Sequence, residues 1–126
     1  SKNKVVAYFS LAADKLSVND FASNSEFNRF RKRRFVHEKR LRSYPAVKLC
    51  RLGVDISMKG TGLGSIILSL IEFLCTQGNR IGSRFITVDA YKTATPFYIK
   101  NGFQPLSKGT SNCFTEPLFM DLHSML

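Results

Sequence analysis

The chain has 126 residues, 44% of them hydrophobic, and a formal net charge of +10. This length favours a single domain with its own core, and the apolar fraction is ordinary for a globular protein. No apolar run is long enough to cross a membrane, and the first residues lack the pattern of a secretory signal peptide. Three cysteines without Cys-x-x-Cys spacing favour neither disulfides nor a zinc site, so we expect a cytoplasmic protein with no metal cofactor.

The excess positive charge is concentrated in one segment. Residues 29–51 contain ten Lys or Arg and one acidic residue, whereas the rest of the chain contains nine basic and eight acidic residues. Such a segment is typical of a phosphate-binding surface, although a solvated, mobile loop has the same composition. We therefore expect a basic insert at about residues 26–44 within a single domain that spans residues 1–126.

The first part of the chain predicts β-structure followed by this basic insert. Residues 4–13 are β-branched and aromatic, which is typical of a strand, and a short second strand is expected near residues 16–21. Residues 26–43 fit either a basic helix or a loop, with Phe27 and Phe30 on a weak apolar stripe.

Strands and helices alternate in the remainder. Strands are predicted over residues 46–54, 84–90 and 114–122, and helices over residues 65–77 and 97–101. Thr95 is expected to be the N-cap of the shorter helix. Pro117 favours an edge position or a bulge for the last strand. This order predicts a mixed, partly parallel α/β sheet flanked by helices.

A glycine-rich turn carries the strongest functional signal. Residues 59–64, KGTGLG, lie between a strand and the start of the long helix, where unpaired N–H groups and the helix dipole favour an anion such as phosphate. Ser65 and Ile66 follow Gly64, which excludes a P-loop, and Ile67 stands where a dinucleotide fingerprint needs its third glycine. A tight turn without a ligand is the remaining alternative.

Two motifs resemble those of the GNAT acetyltransferases. Lys59-x-x-Gly62-x-Gly64 resembles the pyrophosphate-binding signature of that family, Gln/Arg-x-x-Gly-x-Gly/Ala, with Lys in the first position. Residues 97–103, FYIKNGF, resemble its second signature, in which Phe-Tyr lies in a short helix that ends at Gly-Phe. Residues 51–55, RLGVD, after a basic segment, look like the acetyltransferase toxins of bacterial toxin–antitoxin pairs. The resemblance covers residues 46–106 and implies a GNAT-like fold that is N-terminally short.

The resemblance implies acetyl-CoA as the cosubstrate. The exposed backbone of the strand would bind the pantetheine arm, and the amide of Val54 would stabilise the oxyanion. Tyr98 would be the general acid for the leaving thiolate, with a core aromatic as the alternative. The residues expected to bind acetyl-CoA are Leu52, Gly53, Val54, Lys59, Gly60, Thr61, Gly62, Leu63, Gly64 and Ser65.

The expected reaction is acetyl transfer to a primary amine, and the toxin resemblance implies the α-amine of an aminoacyl-tRNA. The residues expected to contact RNA are Arg29, Arg31, Lys32, Arg33, Arg34, Arg40 and Arg42. The side chains available as a general base are Glu26, His37, Glu38 and Asp89, and none has supporting spacing.

Two other functions fit the same residues. One is acetylation of a small-molecule or protein amine. The other is a non-catalytic, basic RNA-binding module with a vestigial acetyl-CoA site. The resemblance to toxins also implies an antitoxin as a partner, and an open edge on the first strand would favour a homodimer. We expect no membrane association.

Overall fold

A computed structural model describes residues 5–34, 43–77, 84–106 and 114–122. The strands are β1 (Ala7–Ser17), β2 (Ser43–Val54), β3 (Phe85–Tyr91), β4 (Gln104–Pro105) and β5 (Thr115–Asp121). The α-helices are α1 (Asn24–Arg34), α2 (Leu63–Thr76) and α3 (Thr95–Lys100). Short 3-10 helices span Val18–Asp20 and Ile56–Met58.

The five strands form one sheet in the order β1-β2-β3-β5-β4. β2 and β3 run parallel, and the other three neighbouring pairs are antiparallel. A parallel pair needs a crossover connection, and α2 lies in that connection. The predicted mixed, partly parallel α/β fold is confirmed.

The sheet has a hydrophobic core on each face. On the first, which we call the α2 face, the strands pack against Ile67, Leu68 and Ile71 of α2. The strand residues on this face include Val47, Leu49, Ile86, Val88, Leu118 and Met120. Because side chains alternate along a strand, their neighbours point to the opposite side.

That opposite side, which we call the α1 face, carries an aromatic core. The ring centroid of Phe30 in α1 lies 5.5 Å from that of Phe85 and 5.4 Å from that of Phe119. Phe27 is also buried, beside Tyr44. The basic insert therefore begins with a helix, one of the two predicted alternatives, and the aromatic residues fix this helix to the sheet. Residues 35–42 of the insert lie outside the described part.

β2 and β3 separate halfway along their length. Their pairing covers Ala46–Leu49 and Phe85–Val88, yet β2 continues to Val54 and β3 to Tyr91. The last residues of β2 are thus paired with β1 on one side only. The gap between the two strands is the opening on which the candidate site is built.

A β-bulge in β2 lies at the point of separation. Ser10 pairs with Arg51 and Leu11 pairs with Leu49, so Cys50 is the extra residue. One extra residue shifts the alternation of side chains by one position. As a result Leu52, like Leu49, packs against the core of the α2 face.

Three local predictions were wrong. β1 runs without interruption to Ser17, because it pairs with β2 along its whole length, so the second early strand is absent. Ala94 is the N-cap of α3, and Thr95 lies inside the helix. β5 lies between β3 and β4, so Pro117 is not on an edge strand. The sequence also gave no signal for β4, which has only two residues.

We predict that Phe30→Ala destabilises the protein by about 3–5 kcal/mol, because it leaves a cavity among buried rings. Phe73→Ala is the control, since that side chain on α2 is 55% exposed and should cost within about 0.5 kcal/mol. Urea unfolding followed by circular dichroism measures both. Equal losses in the two variants would contradict the packing of α1 against the sheet.

Candidate active site

A cleft of about 740 Å³ lies on the α2 face, at the open end of β2. The residues that line it are Leu52, Val54, Ile56, Met58, Lys59, Gly60, Gly62, Leu63, Gly64, Ser65, Ala94, Phe97, Tyr98 and Lys100. They come from β2, the glycine turn, the first turn of α2, and α3 with the residue before it. The cleft brings together residues of both sequence motifs.

The free edge of β2 supplies backbone donors and acceptors to the gap. The amide of Asp55 donates to the carbonyl of Val6 at 2.7 Å, so the next pair, Ala7 and Val54, is a non-hydrogen-bonded pair. The N–H and C=O of Val54 therefore point away from β1, towards the gap, and by alternation so do those of Leu52. An extended ligand can add to this edge as a strand does.

The glycine turn owes its shape to two residues with positive φ. Gly60 and Gly62 both have φ of 84°, a conformation that costs other L-residues free energy. Gly62 is the N-cap of α2, and its carbonyl accepts from the amide of Ile66 at 3.1 Å. The amides of the first turn of α2 have no acceptor within the helix, which makes this end of the cleft suited to phosphate.

Gly64 allows α2 and α3 to approach each other closely. A Cβ atom at this position would lie 3.0 Å from Cζ of Phe97, tighter than ordinary van der Waals contact. The missing side chain therefore sets how near the neighbouring Tyr98 comes to the glycine turn.

Tyr98 is held by other aromatic rings. Its ring centroid lies 5.2 Å from that of Phe97 and 5.4 Å from that of Phe103, both edge to face. The side chain is 7% exposed, yet it lines the cleft. Burial raises the pKa of the Tyr98 phenol, because desolvation disfavours the phenolate. The hydroxyl is therefore protonated at neutral pH and able to donate.

Two lysines line the cleft, and the sequence predicted only one of them. Lys59 lies in the glycine turn and Lys100 in the last turn of α3; both are exposed. Their charges favour an anionic ligand. The sequence analysis also missed Ile56 and Met58, which line the cleft from the 3-10 helix after β2. Neither belongs to a motif, so only the folded chain identifies them.

Two of the predicted acetyl-CoA residues do not line the cleft. A Cβ on Gly53 would point at the ring of Tyr8, on the other face of the sheet. The hydroxyl of Thr61 donates to the carbonyl of Met58 at 2.6 Å, which stabilises the turn. The other eight of the ten lie together around one cavity.

The predicted RNA-contacting residues begin on α1, on the opposite face from the cleft. Arg29 and Lys32 are exposed, and the guanidinium of Arg31 lies over the ring of Phe27 at 4.6 Å. Arg33 and Arg34 belong to the last turn of α1, without described side chains. Arg40 and Arg42 lie outside the described residues.

Of the candidate bases, Asp89 lies nearest to the opening. It is the first residue of β3 beyond the paired region, and its carboxylate lies 2.9 Å from the ammonium of Lys48. A hydrogen bond to this carboxylate raises the pKa of Lys48. Glu26 lies in the first turn of α1, on the far end of the sheet, and His37 and Glu38 are outside the described residues.

Two further searches of the described residues found nothing. They contain no group of three or more side chains suited to a metal ion. None of their helices combines the length and the apolar character that a membrane span requires.

Several solved structures are similar to this fold. AtaT complexed with acetyl-methionyl-tRNAfMet gives a TM-score of 0.73 at 22% identity, covering 95% of this chain and 64% of that one. AtaTR bound with AcCoA gives 0.69 at 23% identity, covering 95% and 63%. The KacTA–DNA complex gives 0.67 at 22% identity, covering 99% and 65%. The chain thus spans less than two thirds of the length of these neighbours.

A sequence family model gives the assignment. Among curated proteins no sequence matches the chain significantly. The model described as acetyltransferase (GNAT) domain matches residues 31–115, a span that contains the separated strands, the glycine turn and Tyr98. This span is well over half of the sequence, and the chain belongs to the GNAT acetyltransferase family.

Proposed function

We propose that this protein is an N-acetyltransferase that moves the acetyl group of acetyl-CoA to the α-amine of an aminoacyl-tRNA. One observation carries the proposal: the free edge of β2, the glycine turn and Tyr98 line a single cleft. These are the three parts that acyl transfer from a thioester with a phosphate-bearing carrier requires.

The proposed acetyl-CoA site has two parts. The pyrophosphate would bind at the first turn of α2, where backbone amides and the charges of Lys59 and Lys100 favour phosphate. The pantetheine arm would lie along the free edge of β2 and hydrogen-bond Leu52 and Val54. The backbone of Gly53 points towards β1, so we assign it no contact with the cosubstrate.

The proposed chemistry uses few side chains. The acceptor amine attacks the thioester carbonyl, a C–N bond forms, and the negative charge on the oxygen is stabilised by the Val54 amide. The C–S bond then breaks, and Tyr98 gives its proton to the departing thiolate. The proton lost by the amine passes to water.

The position of α1 supports a large acceptor. This basic helix packs over Leu16 on the α1 face, and β1 runs from there to Tyr8 beside the opening. Eight residues of strand correspond to roughly 26 Å at about 3.3 Å per residue. No small amine bridges this distance, whereas a tRNA does. If α1 contributes to acceptor binding, the acceptor is therefore a macromolecule.

We extend the proposal to domain organisation and partners. Residues 1–126 would form one acetyltransferase domain, with residues 26–44 as its RNA-binding insert. β1 is the outermost strand on its side of the described sheet, so a second copy of the chain could pair with it. An antitoxin is the partner that the toxin-like fold suggests.

We predict that Gly62→Glu lowers the affinity for acetyl-CoA roughly 100-fold, or about 2.7 kcal/mol. The new carboxylate would repel the pyrophosphate, and the positive φ of Gly62 would strain any side chain. Leu70→Glu places the same charge at an exposed position on the same helix and should bind normally. Isothermal titration measures both. If the intact protein gives no binding heat and no competition, the proposed enzyme is rejected.

Tyr98→Phe should lower kcat about 100-fold or more and leave the affinity for acetyl-CoA unchanged. Tyr44→Phe, at a buried tyrosine on the α1 face, is the matched control. Because the pKa of Tyr98 is raised, its proton is retained as pH increases, so kcat should not fall between pH 7 and about 10. Normal turnover in Tyr98→Phe, measured with labelled acetyl-CoA, would exclude Tyr98 as the acid.

Replacement of Arg29 and Lys32 by Ala should weaken aminoacyl-tRNA binding and reduce its salt dependence. Each lost phosphate contact removes about 0.9 or less from the slope of log K against log salt. Lys15→Ala is the control, because alternation puts this exposed lysine on the α2 face. Filter binding from low to moderate salt measures the slope. A flat response in the wild type would favour the alternative of a small-molecule amine.

A further inference from the structure

Gly53 and Tyr8 form a close cross-strand pair at the opening. They are directly opposite each other in the β1–β2 ladder. A Cβ atom built on Gly53 would lie 2.3 Å from Cε1 of Tyr8 and 2.7 Å from its Cζ. The ring thus covers the glycine backbone, and no side chain fits at position 53 unless the ring moves. φ at Gly53 is not in the left-handed region, so the close ring is the reason for glycine here.

The Tyr8 ring lies on the opposite face from the acetyl-CoA cleft. Leu52 and Val54, on either side of Gly53, pack towards the α2 face, so the ring above Gly53 is on the α1 face. Tyr8 is nevertheless 55% exposed, because α1 covers only the far end of that face.

An acceptor has one open route to the free edge of β2. The α2 face is occupied there by α2, α3 and the cleft assigned to acetyl-CoA. The other side of the gap between β2 and β3 is the α1 face, which the described elements leave open beyond α1. An amine that reaches Val54 from this face passes the exposed ring of Tyr8.

We propose that Tyr8 is a substrate-positioning residue that stacks against the nucleobase next to the amine-bearing end of the RNA acceptor. This inference rests on the proposed function. A base offers a flat π-face, and stacking on an exposed aromatic is the usual contact with single-stranded RNA ends. The basic helix on the same face would hold the phosphates, and Tyr8 would hold the end that reacts.

A purely structural role for the ring predicts a different result. Aromatic residues often shield a glycine on the neighbouring strand, and that role concerns only stability and the shape of β2. Loss of the ring would then disturb the edge that binds acetyl-CoA as well. A role in acceptor binding predicts instead that acceptor affinity changes alone.

The test compares three variants with the wild type, using one purified aminoacyl-tRNA. Tyr8→Ala should raise KM for the aminoacyl-tRNA about tenfold, with the affinity for acetyl-CoA within twofold of normal. Tyr8→Phe keeps the ring and should stay within about twofold for both substrates. Phe73→Ala removes an equally exposed aromatic on the α2 face and should change neither value.

Gly53→Ala provides an independent arm. The added methyl group would push the ring aside, so this variant should raise KM for the aminoacyl-tRNA as Tyr8→Ala does. Combined with Tyr8→Ala, it should add no further change, since the ring is already absent. A second loss of similar size in the double variant would mean that Gly53 acts separately from Tyr8.

The outcomes separate this inference from the proposed function. If the wild type binds acetyl-CoA and acetylates aminoacyl-tRNA while Tyr8→Ala has a normal KM, the role of Tyr8 is wrong and the proposed function stands. A parallel loss of acetyl-CoA affinity in Tyr8→Ala also overturns the role. If the wild type acetylates no aminoacyl-tRNA, both proposals fail.

Discussion

The separation of β2 from β3 is the constraint on which the site depends. Had the parallel pair stayed in register to the end, the backbone groups of Leu52 and Val54 would be satisfied inside the sheet. The bulge at Cys50 lies where the pairing ends, and the extra residue returns Leu52 to the α2 face. One inserted position thus frees the edge of β2 and keeps its apolar side chains on the side where α2 and α3 form the cleft.

Local motifs were predictable from the sequence because their cause is local. Gly60 and Gly62 have positive φ values, and a helix start follows them, so a short pattern of glycines sufficed. Lys100 and Met58 could not be found in this way. They reach the cleft only because α3 and the 3-10 helix pack beside the glycine turn, and the sequence carries no record of that packing.

Hydrophobic periodicity was informative for one helix and insufficient for the other. α2 is apolar on more than one side: Ile67 and Ile71 are buried, whereas Phe73 is 55% exposed. A pattern that wide indicates a helix without indicating which side faces the sheet. In α1 the stripe is narrow, and Phe27 and Phe30 supply the burial that fixes the helix. Aromatic packing across the chain, which no window of sequence contains, decided between helix and loop.

The arrangement around Asp89 bears on the choice of acceptor. Its carboxylate is engaged by Lys48 at 2.9 Å, and both groups are well exposed, so the pair is weakly held and a poor proton acceptor. Without a strong base, the reaction depends on how much of the amine is already neutral. An α-amine with a pKa of about 8 is roughly 250 times more neutral at pH 7 than a lysine with a pKa of about 10.4. The site chemistry therefore favours an α-amine over a lysine side chain, independently of the basic helix that suggests RNA.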